Sequence, residues 1–167
     1  SRSGSRHPAE ASTWFLDAAR LLALPSDPDE AAQEALEGST SGLGEVIGAA
    51  LSRTGPLDTL VVGLSRSAVH DGGLGAMDAL GGLRAAKDLL SHRSLGLALA
   101  DDISLGGMNG AGAALTSITS ISPERAQELD RRACAKAMES VRVAEDLDPG
   151  GLGARRSLPV VSALDDA

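Results

Sequence analysis

Aromatic residues are nearly missing from this chain: one Trp, one Phe and no Tyr among 167 residues. Their scarcity removes the usual stacking platforms for nucleic-acid bases. Cysteine occurs once, as Cys134, so no internal disulfide and no paired-cysteine metal pattern can form. A reducing, cytoplasmic setting is the simplest expectation. Basic residues are also outnumbered, fifteen Lys plus Arg against twenty-three Asp plus Glu, for a formal charge of −8. Such a surface repels phosphate backbones, and no nucleic-acid partner is expected. No apolar run approaches the roughly 20 residues that cross a bilayer, and SRSGSRHPAEAS is polar where a signal peptide would be apolar. No membrane partner is expected either. The chain does not begin with Met, which leaves open a fragment or a processed product.

What is present is a small-aliphatic core composition, 43% apolar, with twenty glycines. Such a core packs Ala, Leu and Val closely and has few aromatic anchors. Residues 1–12 read as a flexible lead-in, 13–153 as one α/β domain, and 154–167 as a tail in which Leu158 to Val161 can form a last short strand. Trp14, Phe15, Ala18, Leu21 and Leu22 follow helical spacing, and a helix is expected there. Asp27-Pro28-Asp29-Glu30 is a helix start, with an N-cap, a Pro at the first helical position and a capping-box glutamate. Leu43, Val46, Ile47, Ala50 and Leu51 form an amphipathic stripe after a glycine-hydroxyl loop.

Asp58 to Leu64 is the best strand in the chain, and Leu60-Val61-Val62 predicts burial on both faces. Helices are expected through Met77 and Leu80 and from Leu83 to Leu90. Leu95, Leu97 and Leu99 alternate with small residues, which is strand periodicity. GGMNGAGAAL reads as a glycine-rich loop. Ser122-Pro123-Glu124 opens the longest helix, with Ala126, Leu129, Ala133, Ala137, Val141 and Ala144 as its buried stripe. Strands alternating with helices predict an α/β fold with a mostly parallel sheet and flanking helices. Ligands in such folds sit beyond the carboxyl ends of the strands.

Two loops fall at such ends. In Ser65-Arg66-Ser67-Ala68-Val69-His70-Asp71-Gly72-Gly73, backbone N–H groups and the hydroxyls of Ser65 and Ser67 can face an anion. Arg66 can pair with a phosphate or carboxylate. Asp71 can act as a base toward a hydroxyl, or hold Mg²⁺. The bland alternative has Asp71 capping a helix, with the glycines permitting tight packing. Asp101 and Asp102 end the next strand, where carboxylates can bind Mg²⁺ or simply meet solvent. Asn109 and Gly110 make a second phosphate-facing loop or an ordinary Asn-Gly turn. A helix cap explains Ser39 to Ser41. His7 and His92 read as surface residues, and Cys134 as inert core. His70 has no second His or Cys at metal-ligand spacing, so zinc is not expected.

Taken in order, these segments resemble the bacterial-type glycerate kinase family. Gly42-Leu43-Gly44-Glu45-Val46-Ile47-Gly48-Ala49-Ala50-Leu51 is similar to that family's "GLGELIRAAL". Val61 to Gly82, VVGLSRSAVHDGGLGAMDALGG, matches "VVGLGGSATNDGGAGMLQALGG" without gaps. DDISLGGMNGAGAAL and ISPERAQELDRRA follow in the family's order. The resemblance implies a glycerate-kinase-like central domain. It also implies ATP-dependent transfer of a phosphoryl group to a hydroxyl of glycerate or a similar small hydroxy acid, with Mg²⁺ as cofactor. Asp71 would be the catalytic carboxylate. Ser65, Arg66, Ser67, His70, Gly72, Gly73, Asn109 and Gly110 would bind substrate or phosphate, and Asp101 would hold Mg²⁺. The missing flanking domain of the same chain would supply the other wall of the cleft.

The chain departs from the family where Ser65-Arg66 replaces Gly-Gly and Val69-His70 replaces Thr-Asn. A lysine-bearing "FGPQKG" is absent where TSITS stands. These departures support the alternative of a catalytically inactive paralogue that serves as a binding or assembly module.

Overall fold

Leu60, Val61 and Val62 lie at the centre of the sheet. The computed structural model describes residues 11–91, 93–101, 103–107 and 109–147. Within them, β1 (Thr13–Asp17), β2 (Thr59–Gly63) and β3 (Ser94–Ala98) form a three-stranded sheet in the order β1-β2-β3. Both pairings are parallel, with Trp14, Leu60 and Leu95 in one row and Leu16, Val62 and Leu97 in another. The expected α/β architecture is present. The region that holds Leu158 to Val161, and His7, His92 and Asp102, lie outside the described residues.

Parallel strands need long crossovers, and helices supply them. Between β1 and β2 run α1 (Pro28–Glu37) and α2 (Ser41–Leu51); between β2 and β3 run α3 (Leu74–Ala79) and α4 (Gly82–Leu90). The α1 start is the one its sequence announces. Asp27 Oδ1 accepts from the N–H groups of Asp29 and Glu30 at 2.8 and 3.0 Å, and Pro28 occupies a position where no N–H is needed. In α2, Leu43, Ile47 and Leu51 fall on one face and pack with Leu60 and Val62 of the sheet. A second core joins Ala31, Ala32 and Ala35 of α1 to Ala68, in the segment leaving β2. It also takes in α5 (Ala111–Ile118) and α6 (Pro123–Leu147) through Leu115, Ala126 and Leu129.

Five expectations change. Trp14 to Asp17 is not helical: it is the edge strand β1, and Phe15 is 80% exposed. Pairing with β2 satisfies the backbone groups on one side of it, and tertiary hydrogen bonding overrides the 3.6-residue spacing of its apolar residues. The Trp14 indole donates to Asp58 Oδ2 at 3.0 Å, so its polar edge is held at the strand's start. Next, β2 is buried on one face only. Leu60 and Val62 are enclosed, whereas Val61 is half-buried in the row that contains Phe15.

The second half of the segment read as a glycine-rich loop is the beginning of α5, which starts where the Ala111 N–H donates to the Ser104 carbonyl at 2.8 Å. Its small residues carry a weak apolar pattern, and their helicity follows from packing on α6. Finally, the α6 stripe is buried at Ala126, Leu129 and Ala133 but not at Val141. Cys134 is half-buried beside a shallow apolar hollow with Leu105 and Met138, not core.

Candidate functional site

The chain leaving β2 runs through Leu64 to Gly73 before α3 begins. It forms one wall of a cavity of about 370 Å³ at the carboxyl ends of β2 and β3. Ser65, Arg66, Ser67 and His70 line it from this segment, Asp101 from the chain that follows β3, and Ala111, Ala114, Leu115, Ser117 and Ile118 from α5. This is where an open parallel sheet offers a ligand site. Five of the residues singled out by sequence meet here.

Each has a definable state. The Arg66 Nε lies 3.2 Å from Asp101 Oδ2, with the arginine side chain 65% exposed and the aspartate 31%. Both groups line the cavity, and their exposure to solvent weakens the pair. The Ser65 hydroxyl donates to the Ala19 carbonyl at 2.5 Å and so ties the loop to the end of β1. Ser67 Oγ accepts from the Val69 N–H at 3.1 Å, which leaves its own proton for a ligand.

Asp71 faces elsewhere. It lines a second cavity of about 250 Å³ together with Ser39, Gly75, Asp78, Arg132 and Lys136. Its Oδ2 accepts from the Thr40 N–H at 2.8 Å, the Thr40 hydroxyl at 2.9 Å and the Gly75 N–H at 3.1 Å. Its Oδ1 accepts from the Gly73 N–H at 2.9 Å. Burial disfavours the charged carboxylate, but the bonds from Thr40, Gly73 and Gly75 outweigh it and hold the pKa below its ordinary value. The same Thr40 oxygen accepts from the Ala76 N–H at 2.9 Å. Asp71 and Thr40 together therefore fasten the start of α3 to the start of α2.

The paired glycines serve the same packing. Gly72 (φ +69°) lies against α6, where a Cβ would stand 3.2 Å from the Ala133 carbonyl oxygen; Gly73 (φ +79°) turns the chain into α3. Neither lines either cavity. Gly110 packs on Gly106 and, with Asn109, stays outside both cavities, although its neighbour Ala111 lines the first.

Two contributors escaped sequence reading. Thr40 looked like the cap of its own helix, yet its side chain makes no cap bond there and serves α3 instead. Asp130 lies on α6 outside the apolar stripe expected from the sequence. It lies 3.5 Å from His70 Nε2 and accepts from the Gly112 N–H at 3.3 Å. No local spacing signals either contact, because each depends on how distant helices cross.

A Mg²⁺ ion bound by protein groups alone does not fit this donor set. Arg66 holds Asp101, four N–H or O–H donors engage Asp71, and no group of three or more His, Cys, Asp or Glu side chains converges among the described residues. Among the described residues no helix is long and apolar enough to cross a membrane.

A parallel sheet with helical crossovers and a cavity of mixed polar and apolar lining at its strand ends defines an α/β protein. The model of the glycerate kinase family matches residues 7–136, and the chain belongs to that family. A kinase-like function at family level goes with that membership. No curated protein and no solved structure matches the chain.

Proposed function

We propose that this protein takes part in ATP-dependent phosphoryl transfer to a hydroxyl of glycerate or a similar small hydroxy acid. The observation that carries the reading is the strand-end cavity, which combines Arg66, the Ser67 hydroxyl and His70 in a chain of the glycerate kinase family. Phosphoryl transfer needs chiefly positioning and charge stabilisation. Arg66 can exchange its one-nitrogen contact with Asp101 for a two-pronged pair with a phosphate or carboxylate of a ligand. Ser67 can donate to a second oxygen. Asp71 supports the loop through its bonds to α2 and α3. A single cysteine and an acidic surface accord with a cytoplasmic setting, and a flanking domain would close the cavity from the other side.

A coupled assay that follows ADP release with glycerate and Mg-ATP tests the reading. Turnover that depends on both substrates is expected, and its absence across small hydroxy acids would sink it. One observation favours a second reading, a binding module without catalysis: Asp71 and Asp101 are already engaged by protein groups. Calorimetry separates the two, because nucleotide binding without turnover is the result that the second reading expects.

A further inference from the structure

His70 stands in the wall shared by the two cavities and lines both. Its side chain is only 5% exposed, and its Nε2 makes no hydrogen bond among the described residues. A buried ring nitrogen left without a partner is unfavourable, and such groups are uncommon in folded proteins. The nearest candidate partner is Asp130 Oδ1 at 3.5 Å. A shift of a few tenths of an ångström would make this an N–H···O bond, and such contacts often tighten only when substrate is bound.

Asp130 is itself held in place. Its Oδ1 accepts from the Gly112 N–H in the first turn of α5, where the helix dipole favours a negative charge. The fit is close enough that a Cβ at Gly112 would lie 2.6 Å from the Asp130 Cβ. The carboxylate is therefore set by one helix, carried by another and turned toward a buried histidine at a cavity wall. Asp130 is the one acidic residue within ion-pair distance of His70 among the described residues. The other charged groups on its two cavities are Arg66, Asp101, Asp71, Asp78, Arg132 and Lys136.

We propose that His70 is the base for the acceptor hydroxyl in the strand-end cavity and that Asp130 is its positioning residue. The proposal rests on the phosphotransferase reading. In the step, the hydroxyl oxygen attacks the γ-phosphorus of ATP and its proton passes to the His70 ring nitrogen that faces away from Asp130. An O–P bond forms to the acceptor. The bond from the γ-phosphorus to its bridging oxygen breaks, and ADP leaves with the electron pair. Asp130 fixes the ring and stabilises the imidazolium so formed. Asp71 is less suited to this work, because its oxygens are engaged by Thr40, Gly73 and Gly75 on the other cavity.

Two measurements on the full-length protein test this. In steady-state kinetics, His70→Gln should lower kcat by about 10²–10⁴-fold with little change in KM, and added imidazole should restore part of the activity of His70→Ala. Asp130→Asn should lower kcat by about tenfold or more with KM again nearly unchanged. Separately, ¹⁵N-histidine-labelled protein should show an Nε2-bound proton protected from solvent exchange, and Asp130→Asn should weaken that protection. An active wild type whose kcat survives His70→Gln overturns the base assignment alone. A proton equally protected in Asp130→Asn overturns the positioning role, whether or not the protein turns over. A wild type with no phosphotransfer at all removes the parent reading and the base role with it.

Discussion

Thr40 and Asp71 stand 31 residues apart in sequence and are joined by both the backbone N–H and the hydroxyl of the threonine, at 2.8 and 2.9 Å from Asp71 Oδ2. This clasp brings the loop after β2 against the start of α2. The loop can then carry Arg66, Ser67 and His70 along the cavity wall.

Asp71→Asn should destabilise the fold by about 1–3 kcal/mol, because an amide nitrogen replaces one accepting oxygen and faces donors. The Asp71 pKa is depressed in the folded state, so its stabilising effect is complete above the ordinary value of 3.8 and fades as pH falls through the lower folded value. Urea unfolding from about pH 6 to about pH 3 should therefore show a steeper loss for the wild type than for Asp71→Asn. Parallel pH profiles would remove Asp71 from this role.

Thr40→Val keeps the shape of the side chain but leaves Asp71 and the Ala76 N–H each short of one partner. A loss of about 1–2 kcal/mol is expected in denaturant titration, and Thr40→Ser should recover most of it. Equal losses in the two variants would mean that the methyl group matters more than the hydroxyl.

Gly44→Ala tests the close approach of α2 to α3. A Cβ at Gly44 would lie 2.7 Å from the Ala76 Cα and 2.8 Å from the Ala79 Cβ. Alanine favours helix in isolation, so propensity alone predicts a gain. Overpacking should prevail, with a net cost of about 1–3 kcal/mol read from the thermal midpoint.

Leu51→Ala and Val141→Ala contrast two apolar residues on helical stripes. Leu51 is 1% exposed and its truncation should cost about 2–5 kcal/mol. Val141 is 48% exposed, and its truncation should change stability by no more than about 0.5 kcal/mol. Denaturant midpoints of the two variants check both.

Arg66→Gln should leave stability within about 1 kcal/mol, since the ion pair with Asp101 is largely in solvent. Under the proposed function it should weaken nucleotide or acid binding and reduce the salt dependence of that binding. Calorimetry at two salt concentrations reads both effects; unchanged affinity would take Arg66 out of the site.

Much of the fold was legible in sequence because its signals are local. Asp27 with Pro28 marks a helix start by satisfying N–H groups within three residues, and Leu43, Ile47 and Leu51 recur at the spacing of a helical face. The first strand was not legible. Trp14 and Phe15 remain largely exposed, so their hydrophobicity reports no burial, and only pairing with β2 makes the segment a strand. That Ser65, Arg66, Ser67, His70 and Asp101 line one cavity was legible because loops at the carboxyl ends of parallel strands lie side by side. Thr40 and Asp130 were not, because each meets its partner across helices far apart in the chain.

The sequence by itself determined the α/β class, the central strand with most of the helices, the family membership and the loop that enters the cavity, since hydrophobic period, caps and turn residues act over a few neighbours. The tertiary structure alone decided which partners the charged groups meet. It bonded Asp71 to Thr40 across the starts of two helices, set Arg66 on Asp101 and placed His70 against Asp130. The physical reason is that a side chain's role depends on which donors and charges surround it once buried. Those neighbours come from distant elements whose crossing no local pattern encodes.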